Sequence, residues 1–140
     1  MLLAADAFPN VLGKALLTLV KTRSQQPLTI DALKLSHHGS RGNFMTELLN
    51  AVQAKRYIVS TDNSRFQHPD DEALARIVMY GGDQPTLCFN YATERNLRWA
   101  DEQLQLTYRF RTEFPQRANG GVTVCLPAME SFAHSPAGRP

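Results

Sequence analysis

Leu28-Thr29-Ile30-Asp31-Ala32-Leu33-Lys34-Leu35-Ser36-His37-His38-Gly39-Ser40 is the stretch whose reading decides the fold. Apolar residues alternate at Leu28 and Ile30 and, after one slip, at Leu33 and Leu35. That is the spacing of a strand with one face in a core. The run stops abruptly at a His-His-Gly-Ser turn. Gly39 lets the backbone turn sharply, and Ser40 is suited to cap a helix that follows. Two imidazoles at a strand end are either a hydrogen-bonded loop cluster or metal-facing side chains, and this stretch alone leaves both readings open.

Upstream, Met1-Leu2-Leu3-Ala4-Ala5 reads as a short buried strand with Asp6 at its exit. A buried strand at the very start lacks neighbours from earlier sequence, so an upstream segment or another chain is expected to supply them. Val11, Leu12, Ala15, Leu16, Leu19 and Val20 have helical spacing, with Pro9 in the first turn where proline is tolerated. Downstream of the polar connector Ser24-Gln25-Gln26-Pro27 and the deciding stretch, Phe44 to Ala54 reads as an amphipathic helix. Arg56 to Ser60 is a β-branched strand ended by Thr61-Asp62-Asn63-Ser64. Asp70 or Asp71 caps a third helix carrying Leu74, Ile77 and Val78, which Gly81-Gly82 stops. Thr86 to Tyr91, Gln105 to Arg111 and Gly121 to Leu126 have strand character, and Ser131 to Pro140 reads as a disordered polar tail. Strand and helix thus alternate, which predicts an α/β fold in one domain over 1–130, with loops at the C-terminal ends of the strands carrying any chemistry.

The chain has 140 residues, 43% of them hydrophobic and 20% charged, the balance of a globular protein able to bury a core. Its formal charge of +2 is too small, and its basic residues too scattered, to point to nucleic acid on electrostatics. Tyr91, Arg95, Arg98 and Trp99 mix aromatic and basic character, and a face that covers the core accounts for them. Cys88 and Cys125 both lie in apolar runs and read as reduced core residues. Val11 to Val20 is too short to span a bilayer and no basic segment precedes the first apolar residues, so no membrane is expected and the cytoplasm is the default compartment.

Candidate ligands stand at three successive strand ends: Asp6, then His37 and His38, then His68 beyond a short loop. Groups at strand ends of an α/β fold converge on one crevice. Carboxylate oxygen and neutral imidazole nitrogen together suit zinc, manganese or iron. Each residue also has a plainer role open to it. Asp6 is a turn residue in that view, His68-Pro69 a polar turn before a helix, and His134 a solvated tail residue.

Ser36-His37-His38-Gly39-Ser40-Arg41-Gly42-Asn43, Tyr57-Ile58-Val59-Ser60, and Asn63 with Phe66-Gln67-His68-Pro69 together resemble the metallo-β-lactamase-fold hydrolases of the ComEC-like group. That group includes the C-terminal domain of the competence DNA-uptake protein. Leu2-Leu3-Ala4-Ala5-Asp6-Ala7 resembles its Leu-Leu-x-Gly-Asp-Ala element. The likeness covers residues 1 to 82 well and the later strands more loosely. It implies the C-terminal half of an αββα sandwich, a mixed sheet with helices packed on it. It implies Asp6 as a carboxylate bridging two metals, zinc in the first place, and one of His37 and His38 as a ligand. His38 is favoured because Gly39 follows it. The other histidine would support the ligand or orient substrate, while His68 and Asn63 would line the pocket and contact substrate or leaving group. In such sites the metals polarise substrate and activate a water for hydrolysis of phosphodiesters, thioesters, lactones or β-lactams.

The sequence departs from the pattern in three places. The family's His-x-His-x-Asp-His cluster, which comes from the other half of the fold, is missing, and none of the four histidines precedes His37. Ala5 and Gln67 stand where the family usually has glycine. Asp6 and one histidine fall short of a four-coordinate zinc site. The expectation is therefore an incomplete hydrolase: either a fragment or shortened gene product, or a chain whose missing half is supplied by a separate chain, and one that alone need bind no metal. Self-association through the unpaired first strand is expected too, and nucleic acid is a partner only by resemblance. The rival reading is a non-catalytic interaction or structural module that keeps the half-fold.

Overall fold

The computed structural model describes residues 1–23, 27–43, 46–117 and 120–127. Its elements are β1 (Leu2–Leu3), α1 (Pro9–Arg23), β2 (Leu28–Lys34), α2 (Thr46–Ala51), β3 (Val52–Val59), α3 (Asp71–Tyr80), β4 (Thr86–Phe89), α4 (Glu94–Leu97), α5 (Glu102–Tyr108) and β5 (Arg111–Glu113). The α/β expectation holds. The five strands lie in the order β1-β2-β3-β4-β5, and every pairing is parallel, so the sheet is not mixed. The reason is local: helical segments separate each strand from the next, and a crossover of that kind returns the chain in the same direction. Parallel crossovers between sequential neighbours are as a rule right-handed, which puts successive helices on the same face. There Leu16 and Val20 of α1, Leu48 and Leu49 of α2, and Leu74 and Ile77 of α3 share one core with Leu33, Tyr57, Val59, Leu87 and Phe89.

Register shows how the two faces divide. Leu2, Leu33, Tyr57, Leu87 and Thr112 form one row across the sheet. Their successors Leu3, Lys34, Ile58, Cys88 and Glu113 form the next row, on the other face by the alternation of side chains. Tyr57 is fully buried, and its hydroxyl donates to the Gly81 carbonyl at 2.8 Å while accepting from the Ala54 amide at 3.1 Å. It thereby ties β3 to the end of α3.

Several boundaries differ from the sequence reading. The second helix ends at Ala51, and Val52 and Ala54 belong to β3, paired with Leu28 and Ile30. Parallel pairing with β2 offers both residues burial that a further helical turn would not. Ser40 does not cap that helix, which starts at Thr46; its carbonyl instead accepts from Asn43 in a turn. Gln105 to Arg111 is not a strand. Asp101 accepts a hydrogen bond from the Leu104 amide at 2.8 Å and starts α5, and the strand begins only at Arg111. Gly121 to Leu126 joins no ladder, although the Val122 amide is held by the Asn90 side chain at 3.0 Å. Both cysteines are free, and Cys88 is buried as expected, but Cys125 is exposed because its segment lies outside the sheet. Ser24 to Gln26 of the connector, Phe44 of the second helix, His134 and the tail from 131 onward lie outside the described residues. Among the described residues no helix is long and apolar enough to cross a membrane.

Candidate functional site

The loops that leave β1, β2 and β3 at their C-terminal ends are stitched to one another. The His37 amide donates to the Ala5 carbonyl at 3.0 Å, and the Ser36 hydroxyl donates to the Ala7 carbonyl at 3.1 Å, which joins the first loop to the second. The Asp70 amide donates to the Gly39 carbonyl at 3.0 Å, and the Arg41 amide donates to Asp70 Oδ2 at 2.8 Å, which joins the second to the third. Gly39 has φ +88°, and a Cβ there would sit 2.9 Å from Pro69 Cβ. Glycine is required at this crossing of two backbones.

Backbone strain gathers in the same place. Ala5, His37, His38, Asn63 and Gln67 all have φ between 44° and 66°, a conformation that non-glycine residues seldom adopt. Ala5 and Gln67 are the two positions where glycine was expected from the resemblance. Here the alanine and glutamine side chains are carried in left-handed backbone.

Three loops bring Asp6, His37, His38 and His68 to one end of the sheet. The His37 ring lies edge-on to His38, Phe66 and His68, with centroids 6.4, 6.4 and 5.7 Å apart. The Arg65 guanidinium sits 5.1 Å from the centre of the exposed Phe66 ring. His38 Nδ1 is 2.6 Å from the Ser60 carbonyl. A carbonyl only accepts, so Nδ1 is the donor, and in the neutral ring that tautomer leaves the lone pair on Nε2. Asp6 is exposed, and its charge partly offsets the burial that pushes the Lys34 ammonium below the usual lysine range. Asn63 is braced: its amide nitrogen donates to Thr93 Oγ1 at 2.9 Å, and its buried side-chain oxygen has no hydrogen-bond partner.

The donors have the right chemistry for a divalent cation but are too few. Among the described residues, no three His, Cys, Asp or Glu side chains come together closely enough to hold a metal ion. The described residues do not by themselves fit zinc.

One group escaped the sequence reading, which treated Asp70 only as a possible cap. Asp70 Oδ1 faces His68 Nδ1 at 3.5 Å. The acidic residue two positions after the histidine was the available signal. A second such group is Asp71, which accepts from Arg95 at 3.4 Å, Arg98 at 3.3 Å and Trp99 Nε1 at 3.2 Å. The mixed aromatic and basic residues thus brace the loop against α3, as a covering face would.

No family model, curated protein or solved structure matches the chain.

Proposed function

We propose that this chain carries part of the site of a metal-dependent hydrolase of the metallo-β-lactamase type, its α/β frame being the C-terminal half of that sandwich. The observation that supports this best is the His38 ring, whose Nδ1 faces the Ser60 carbonyl at 2.6 Å and whose Nε2 is left as a donor for a cation. Asp6 is the carboxylate ligand, offered by the loop whose Ala5 carbonyl holds the His37 amide. His37 and His68 line the crevice, and Asn63 supports it through Thr93. The remaining donors come from a segment outside the described residues, and a partner chain bearing a His-x-His-x-Asp-His cluster is the natural source. Zinc is the expected metal, with manganese or iron as alternatives, and phosphodiesters, nucleic acid among them, are the substrate class by resemblance.

The second reading is a non-catalytic interaction module, favoured by the lack of a three-donor group among the described residues. Metal analysis and hydrolysis of bis(p-nitrophenyl) phosphate separate the two. The hydrolase reading predicts only weak zinc binding by the chain alone, and firm zinc uptake with turnover once a chain carrying the missing cluster is added. Less than about one tenth of a zinc per chain, with no turnover after adding metal and that partner, would leave the module reading in place.

A further inference from the structure

We infer that Asp70 is a positioning residue that fixes the His68 imidazole, holding its proton on Nδ1 and leaving Nε2 as the free ring nitrogen. Asp70 is the N-terminal cap residue of α3, with φ −75° and ψ 133°, the extended conformation from which an aspartate normally accepts from its own helix. Its carboxylate makes no such bond. Its backbone carbonyl accepts from Ala73 at 3.0 Å and Leu74 at 3.3 Å, as an N-cap carbonyl ordinarily does, so only the side chain departs from the capping role. A carboxylate at a cap that does not cap is being used for something else.

Its other contacts say what that is. Oδ2 accepts from the Arg41 amide at 2.8 Å, and the Asp70 amide donates to the Gly39 carbonyl at 3.0 Å. The residue is therefore pinned at both ends to the turn that carries His37 and His38. Oδ1 faces His68 Nδ1 at 3.5 Å, an ion-pair distance just beyond hydrogen-bond alignment. That nitrogen is buried and has no hydrogen-bond partner. A closure of about half an ångström would bring the two atoms to hydrogen-bond distance. Asp70 is the acceptor available for that proton, and Arg95 steadies the intervening residue from outside by donating to the Pro69 carbonyl at 3.5 Å. A histidine so held presents one defined nitrogen to whatever enters beside His37.

That this orientation serves a substrate rests on the hydrolase reading; the orientation itself does not. The test is the tautomer of His68, read from the imidazole ¹⁵N shifts of the full chain at about pH 8.5, where an ordinary histidine is neutral. The wild-type protein is expected to show Nδ1–H at His68. Asp70→Ser, which keeps a good capping residue but removes the carboxylate, is expected to turn that signal into a mixture or into Nε2–H. A helix-capping role alone would leave the tautomer unchanged in D70S. An unchanged tautomer there, or Nε2–H in the wild type (which needs no variant to fold), overturns the inference. If zinc uptake and partner-dependent turnover fail while the tautomer behaves as stated, only the hydrolase reading falls.

Discussion

Ala5 and Gln67 show what single residues contribute at the crevice. Each occupies left-handed backbone, at φ 44° and 54°, where a Cβ crowds the following carbonyl and glycine does not. Replacing either by glycine is expected to raise stability by about 1 kcal/mol, less the added freedom of the unfolded chain. Urea midpoints measure this, and a lower midpoint in both A5G and Q67G would mean that the side chains make contacts that outweigh the strain. Gly39 is the opposite case: with φ +88° and Pro69 Cβ 2.9 Å from any added Cβ, Gly39→Ala has no favourable outcome. The turn at Gly39 was legible in the sequence because His-His-Gly at a strand end is a local signal, whereas the glycine-like character of Ala5 and Gln67 came only from the resemblance. The approach of Asp70 to His68 was less so, since a capping aspartate and one that faces a histidine look alike until the direction of the carboxylate is seen.

Element by element, the alternation of strand and helix from β1 to β4 was readable, because the strands have apolar residues bounded by polar turns and the connections have helical spacing. The mixed sheet that the resemblance implied is instead parallel, and β1, read as buried, leaves Leu3 66% exposed. The errors lie where burial does not discriminate. No residue of α5 is buried, so its Leu104-Gln105-Leu106 alternation imitated a strand while the Asp101 cap decided for helix. Val122 and Val124 have strand character, but no neighbouring strand accepts them, and β propensity without a partner does not make a ladder. The segment from α4 to Trp99 depends on Asp71, which receives Arg95, Arg98 and the Trp99 indole. The carboxylate is 49% exposed, so these pairs contribute little to stability. Asp71→Ala is expected to lower it by about 1 kcal/mol and to change the fluorescence of Trp99, the one tryptophan. An unaltered emission spectrum would show that Trp99 is placed by Phe110, its ring neighbour at 6.0 Å, without help from Asp71.

At the scale of the whole molecule, a parallel sheet with its helices on one face leaves a second face that carries Lys34, Ile58, Cys88 and Glu113. Burial there and in the core gives the fold a characteristic response to alkali. Burial pushes the Tyr57 phenol from 10.0 up to about 12. Burial, followed by the charge of Glu113, pushes the Cys88 thiol from 9.0 up to about 12. Both groups keep their protons longer folded than unfolded. The stability they contribute is fully present below pH 9 and falls as pH rises toward 12, because the unfolded chain loses protons first. Urea midpoints at about pH 8 and about pH 10.5 should therefore descend, and a midpoint that rises would contradict the sign.

If the loops at the ends of β1, β2 and β3 hold a metal, His38 Nε2 is the nitrogen proposed to bind it. Zinc affinity of the full chain, measured by titration calorimetry with the wild type, His38→Ala and His134→Ala, tests it most directly. Weak binding is expected, as suits an incomplete donor set, falling about tenfold or more in H38A and unchanged in H134A. Equal affinity in all three proteins would contradict it.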